Sequence, residues 1–297
     1  MTRTNHVTTC SERAPFSVLM SVYRNDRPEW FQLAMDSICE QTLLPAEMVL
    51  VVDGPIPDDL SETVKGYERQ DCGFELNVVR LKDNGGLANA MNAGRRECSQ
   101  PFIARMDADD YSLPTRFERQ ATAIREKPEL GLICSWQGEF VDDPHEMNAL
   151  KMLAEHHDEL ISQLKWRNVI PHSSVIMNRE AVEEVGGYRS EFGLVEDYDL
   201  FTKLAMLGVR MHCIQEPVYR MRVLPEQRVR RGGLSYISGE WKFRHQLYTN
   251  GFITHREFLL SSTAYTVFRL SPAFLKTLLY RTVRSQPKLK TEERRAA

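Results

Sequence analysis

Asp107-Ala-Asp-Asp110 crowds three carboxylates into four residues, directly after the apolar run Phe102-Ile-Ala-Arg-Met106. Carboxylates that close repel and raise each other's pKa. A divalent cation relieves the repulsion, and hard oxygen donors suit Mg2+ or Mn2+. Such a cation keeps open positions that a diphosphate can fill. A turn that caps the helix opening at Pro114, through Asp110 or Ser112, accounts for the same residues. Asp53, after an earlier strand, tips the balance toward metal, and both readings hold together with Asp110 as cap and Asp109 as ligand. A second acidic pair, Glu196-Asp197, opens an amphipathic pattern through Leu200, Leu204 and Leu207. Acidic residues complement the dipole at a helix N-terminus; the competing role for such a pair is general-base chemistry.

These side chains need a frame. Phe16–Val22, Met48–Val52, Leu76–Leu81, Phe102–Met106 and Leu130–Cys134 read as short buried strands. Between them lie helical patterns from Pro28 (Trp30, Leu33, Ala34, Ser37, Ile38), over residues 58–70, from Asn84-Gly85-Gly86, and from Pro114. Strict alternation of strand and helix predicts an α/β fold, with a parallel sheet between two layers of helices. Ligands then bind beyond the carboxyl ends of the strands. The loops Ser21–Asp26, Asp53–Pro57 and Asp107–Asp110 all fall at that edge.

The chain has 297 residues with a net charge of -3, 27% charged and 42% hydrophobic. That composition excludes a disordered chain, a collagen-like fibre and a coiled-coil rod. It also disfavours a nucleic-acid binder, which needs a basic surplus. From Tyr219 onward there are 16 basic and 5 acidic residues, which leaves 22 and 36 before it. A basic C-terminal region is either a solvated surface or one that meets an anion such as a phosphate or a membrane face. Six cysteines show neither CxxC nor zinc spacing and read as small buried hydrophobes. Residues 1–15 lack a signal-peptide pattern, and the longest uncharged apolar-rich run near the C-terminus, Phe258–Phe268, is too short to span a bilayer. A cytoplasmic location is the expectation, with peripheral contact at the inner face of the membrane as an option.

Ser17-Val-Leu-Met-Ser-Val-Tyr23, Asp36-Ser-Ile38 with Gln41-Thr42, Val51-Val-Asp-Gly54, Asn84-x-Gly86-Leu-Ala-x-Ala90-x-Asn92, and Ala104-Arg-Met-Asp-Ala-Asp-Asp110 with Pro114-x-Arg116-Phe117 and Gln120 form an ordered series. It resembles the family-2 glycosyltransferases, in the flavour of bacterial exopolysaccharide and O-antigen enzymes of the amylovoran type. The resemblance covers residues 16–222. It implies a GT-A fold, a mainly parallel Rossmann-like sheet flanked by helices, with a C-terminal helical extension. It divides the chain into a flexible N-terminus (1–14), a catalytic domain (15–222), a basic loop with C-terminal helices (223–285) and a disordered tail (286–297). Within the catalytic domain, residues 15–112 would bind the nucleotide sugar, a UDP-sugar by preference, and residues 113–222 the acceptor, a saccharide or polyprenyl-linked saccharide.

By the same resemblance, Ser21, Tyr23 and Arg24 line the nucleoside pocket and Asp53 bonds the base. Asn84 and Asn92 face the donor, Asp107 reaches the ribose or metal, and Asp109 holds the metal. Glu196-Asp197 matches the family's catalytic pair, with Asp197 as base for an inverting transfer. His172 is either a hydrogen-bonded loop residue or an acceptor contact. Four positions depart from the pattern: Ser21 replaces a Pro, Arg24 an Asn and Arg222 a His, and Asn89 stands where a cation is common. Arg222 cannot ligate a metal but can pair with phosphate. Arg228, Arg230 and Arg231, before Gly232-Gly233, make either a solvated loop or a basic flap over the donor. The amphipathic stripe Phe274, Leu275, Leu278 and Leu279 covers the protein's own core or meets a membrane interface. A metal-dependent nucleotidyltransferase and a non-catalytic binding module of the same fold are the competing classes. The absence of glycine from Ser21–Asp26 counts against the first, and the intact acidic residues count against the second.

Overall fold

The computed structural model describes residues 13–191, 195–224 and 234–271. The flexible N-terminus but for its last two residues, Cys10, the Arg228–Gly233 loop, the amphipathic stripe from Phe274 and the tail after residue 285 lie outside the described residues.

The first half alternates as its apolar runs require. It comprises β1 (Ala14–Val22), α1 (Pro28–Cys39), β2 (Pro45–Val52), α2 (Asp58–Arg69), β3 (Glu75–Arg80), α3 (Leu87–Arg95) and β4 (Phe102–Arg105). Strands β3, β2, β1 and β4 lie side by side, all parallel. Side chains alternate across β1 and β2. Phe16, Val18, Met20 and Val22 join Met48, Leu50 and Val52 under α1 and α2, while Leu19, Val49 and Val51 face α3. This is a three-layer sandwich with a core on each side of the sheet.

The second half adds β5 (Tyr111–Ser112), α4 (Arg116–Glu126), β6 (Leu130–Phe140), β7 (Ala149–Lys151), α5 (His157–Leu164), β8 (Ile176–Asn178), α6 (Arg179–Glu184), α7 (Glu196–Met206) and β9 (Arg210–Arg222). The sheet runs β3-β2-β1-β4-β8-β6-β9-β5, with β7 on β6. Here the parallel expectation gives way. Strand β8 inserts between β4 and β6 and runs antiparallel to both, so the sheet is mixed. Helices α8 (Leu234–Thr249) and α9 (His255–Leu270) form the C-terminal extension, and a Thr254/Glu257 capping box starts α9. Among the described residues no helix is long and apolar enough to cross a membrane.

Two local expectations are corrected. The buried face of α1 is Phe31, Ala34, Met35, Ser37 and Ile38, one step from the predicted stripe. Trp30 is drawn outward to lie beneath the guanidinium groups of Arg27 and Arg222. The helix after Pro114 begins at Arg116 and neither Asp110 nor Ser112 caps it. Ser112 instead accepts from Arg116 Nη1 at 2.8 Å, and Asp110 binds β9.

Several motif residues prove to be fasteners. Gln41 donates to Ser37 and Leu113 carbonyls and accepts from Phe117 N. Arg116, fully buried, donates to the Arg105 and Ser173 carbonyls, and Gln120 to the Ser174 carbonyl. Burial lowers the Arg116 pKa to about 10, and neutral acceptors around the guanidinium satisfy it without a directly bonded carboxylate.

Candidate active site at the carboxyl edge of the sheet

The chain leaves β4 at Arg105 and turns through Ala108-Asp109, so Asp107 and Asp109 do not continue a strand. Asp107 pairs with the buried Arg105 guanidinium. The Arg105 charge, with His172 nearby, overcomes burial and holds the Asp107 pKa below its ordinary value. Among the described residues Asp109 has no such partner. Burial and the neighbouring Asp107 charge push its pKa up to about 6. Asp110 accepts from the Tyr219 hydroxyl and from Arg222 N, and burial raises its pKa well above normal.

A fourth carboxylate joins from the β1–α1 loop. Asp26 accepts from Tyr23 N at 2.9 Å, and burial beside Asp109 and Asp107 lifts its pKa to about 7. The sequence places the loop Ser21–Asp26 at this edge, but nothing in it singles out the Asp26 side chain. Of the neighbouring predicted residues, Ser21 ends β1 opposite Val51, Tyr23 is half-buried, and Arg24 is exposed on the turn.

A pH dependence follows. Asp26 and Asp109 have folded pKa values above their unfolded ones, so the native state binds more protons than the unfolded chain. Their contribution to metal-free stability therefore falls as pH rises from about 4 to about 7. Asp26→Asn removes one such group and keeps an acceptor for Tyr23 N. The difference in melting temperature, Asp26→Asn minus wild type, is expected to grow with pH across that window. A constant or shrinking difference would refute the assignment.

Asp53 is nearly buried, and its carboxylate is occupied. It accepts from Gly85 N at 2.8 Å, Gly86 N at 3.0 Å and Asn84 Nδ2 at 3.1 Å. Gly54 permits this approach, because it sits at φ +78° and a Cβ there would meet Asn84 N at 2.5 Å. Asp53 and Asn84 thus knit the loops after β2 and β3 to each other. Asn92 is likewise engaged: its amide exchanges two hydrogen bonds with the backbone of Tyr188, at 2.7 and 3.0 Å. Gly187, at φ +68°, lies against it, and a Cβ there would meet Asn92 Oδ1 and Arg95 Nε at 2.5 Å each. Gly187→Ala is expected to lower stability by about 1–3 kcal/mol, read as a shift in the denaturant midpoint; a midpoint equal to wild type would contradict the packing.

Tyr188 joins the two acidic groups. Its hydroxyl meets His172 Nε2 at 2.9 Å, and the charges of Asp107, Asp197 and Glu196 all act on it. Together with burial they raise the phenol pKa. His172 in turn sits beside Arg105 and Asp107, and burial drives its pKa down to about 3, so it is neutral at pH 7. Glu196 and Asp197 form the first turn of α7. Asp197 accepts from Asn168 Nδ2 at 2.7 Å and from Tyr198 N at 2.7 Å. Asn168, between α5 and β8, carried no sequence signal. Behind the pair, Asp199 binds Arg189 and Lys203, and Lys203 donates to the Val185 and Gly187 carbonyls.

Arg222 is spoken for. Its Nε donates to the Asp109 carbonyl at 3.0 Å and Nη1 to the Val141 carbonyl at 2.7 Å, with the guanidinium between the Trp30 and Phe140 rings. It holds the acidic loop against β9.

The structure thus brings Asp26, Asp107, Asp109, His172, Tyr188, Glu196 and Asp197 to one edge of the sheet, as loops of an open α/β sheet allow. Residues 17–186 match the family model described as glycosyl transferase family 2. The chain belongs to that family.

Among curated members of the family, the chain is 28% identical over 268 residues to an Escherichia coli protein. That protein is named UDP-Gal:alpha-D-GlcNAc-diphosphoundecaprenol beta-1,3-galactosyltransferase, and the match covers 90% of this chain and 96% of that one. It is 31% identical over 268 residues to the amylovoran biosynthesis glycosyltransferase AmsE of Erwinia amylovora, with 89% and 97% covered. These place this family-2 member among relatives of bacterial exopolysaccharide and O-antigen enzymes. The mannosyltransferase PcManGT of Pyrobaculum calidifontis, solved with GDP-Man and Mn2+, superposes with a TM-score of 0.59 at 17% identity, over 96% of this chain and 84% of that one. The fold is GT-A-like, a mixed sheet flanked by helices with a helical extension.

Proposed function

We propose that this family-2 glycosyltransferase is an inverting, metal-dependent enzyme. It would move a sugar from a nucleoside-diphosphate donor, a UDP-sugar by preference, to a hydroxyl of a saccharide or polyprenyl-linked saccharide in surface-polysaccharide assembly. One observation carries the reading: Tyr188 and His172 bridge the acidic loop after β4 and the acidic start of α7, two segments far apart in sequence. The E. coli relative's UDP-Gal donor and alpha-D-GlcNAc-diphosphoundecaprenol acceptor, and the GDP-Man and Mn2+ in the PcManGT complex, support the substrate and metal classes. Residues 15–112 then serve the donor and 113–222 the acceptor.

Asp109 and the second oxygen of Asp107 are the residues that would hold Mn2+ or Mg2+. The donor set fits: both are hard oxygens, and Asp109 carries a charge that burial and Asp107 disfavour. When bound, the cation would neutralise charge on the departing diphosphate. The loop Ser21–Arg24, with Tyr23, faces the nucleoside, and Asp53 with Asn84 shapes the floor for the base. His172, neutral and oriented by Tyr188, offers a hydrogen bond to the acceptor. Asp197 takes the proton of the attacking hydroxyl as the new glycosidic bond forms and the bond to the diphosphate breaks. Asn168 fixes the rotamer of that carboxylate, and Glu196 orients the acceptor. Arg222 acts through the acidic loop rather than on phosphate.

A thermal-shift series with UDP-, GDP- and dTDP-sugars tests the reading. UDP-sugars with Mn2+ are expected to raise the melting temperature by mass action, and EDTA to cancel the rise. The absence of any shift with every nucleotide sugar would overturn the donor assignment.

A further inference from the structure

A second group of metal-ligating side chains lies at the other end of β9. Glu155, His156 and His212 each present one donor atom, and these atoms all lie within 4.8 Å of one another. Among the described residues no other three His, Cys, Asp or Glu side chains gather so closely. His212 sits near the start of β9, opposite Ile133 of β6, whereas Arg222, beside the acidic loop, ends that strand. The cluster is therefore remote from Asp109.

The backbone beneath the cluster is fixed. Cys213 N donates to the Glu155 carbonyl at 3.0 Å, and Met211 N donates to His157 Nδ1 at 3.1 Å. These two bonds bracket His212 and hold the entry of α5 against the strand. The outer side chains are free to adjust: Glu155 is 41% and His156 67% exposed, and Glu155 Oε1 lies 4.0 Å from His156 Nδ1. Around a tetrahedral Zn2+ with bonds of about 2.0–2.2 Å, donors stand roughly 3.4 Å apart. A contraction of up to about 1.4 Å, taken up by the half-exposed Glu155 and exposed His156 rotamers, closes the shell.

We propose that Glu155, His156 and His212 form a second metal site, selective for Zn2+ over the Mg2+ or Mn2+ of the nucleotide site. Two imidazoles and one carboxylate are a borderline donor set that suits zinc, whereas magnesium and manganese favour oxygen alone. Three protein ligands leave a fourth position for water. Lys127 beside His212 and Arg210 beside His157 oppose a cation, but Lys127 is only half-buried and Arg210 is exposed, so salt screens both in part. The Glu155 carboxylate offsets them at contact range. Bound zinc would strap the start of α5 to β9.

Equilibrium dialysis of the chelator-treated full-length protein against Zn2+ tests this. Wild type and Asp109→Asn are expected to retain one equivalent with equal affinity, undiminished by excess Mg2+. His156→Ala and His212→Gln are each expected to weaken binding at least about tenfold. His156 makes no side-chain cap to α5, so its replacement leaves the helix intact, and circular dichroism checks the His212 variant. The proposal is overturned if wild type retains no zinc, if both histidine variants bind as wild type does, or if Asp109→Asn alone abolishes binding.

Discussion

Asp197→Asn is expected to cut the transfer rate by roughly 10²–10⁴-fold, the usual worth of a positioned general base, while donor binding stays as in wild type. The isosteric amide keeps an oxygen that accepts from Tyr198 N, so the start of α7 is not disturbed. It cannot take a proton from an acceptor hydroxyl. On the proposed reading the donor binds at the other end of the site, around Asp107 and Asp109, so the dissociation constant for UDP-sugar with Mn2+ should hold. Single-turnover transfer, measured beside donor titration, separates the two effects. Turnover equal to wild type would remove Asp197 as the base. Asn168→Ala is the companion variant. It strips the 2.7 Å bond that fixes the carboxylate but leaves the base itself, so its loss should be smaller and should fall on kcat rather than on donor affinity.

The central strands were legible because parallel strands buried on both faces are short apolar runs bounded by turn residues. Strand β8 was not. Three residues, Ile176–Asn178, carry no periodicity, and their place between β4 and β6 is fixed by pairing with chain more than forty residues away. The acidic clusters stand out in the sequence because carboxylates that dense repel one another. The roles of single polar residues were harder to read. Asp53 and Arg222 stand at strand ends and Asn92 on a helix beside them, as ligand-binding residues do, yet each spends hydrogen bonds inside the protein. A polar side chain at a loop looks the same in sequence whether it meets a substrate or another loop. Asp26 and Asn168 show the converse. Asp26 ends a loop that the strand order already places at the ligand edge and Asn168 lies in an unremarked one, and only the fold sets the two side chains beside Asp109 and Asp197.

Asp109→Asn should move activity and stability in opposite directions. Among the described residues no cationic side chain pairs with Asp109, whereas Asp107 is held by Arg105 and Asp110 by the Tyr219 hydroxyl and Arg222 N. The Asp109 charge is disfavoured by burial and by Asp107, so removing it relieves repulsion, and the metal-free variant should melt no lower than wild type. On the proposed reading the same change takes away a principal metal ligand. Turnover is expected to fall by about 10²–10³-fold, the scale of one lost group that stabilises developing charge, and the Mn2+ concentration for half-maximal activity should rise. Protons compete with metal for this oxygen. With the Asp109 pKa near 6, wild-type Mn2+ affinity should weaken as pH falls below that value, and the variant's dependence should flatten. A purely structural Asp109 predicts the reverse pairing: a lower melting temperature and a Mn2+ response like that of wild type. Melting curves in EDTA and Mn2+ titrations at two pH values decide between them.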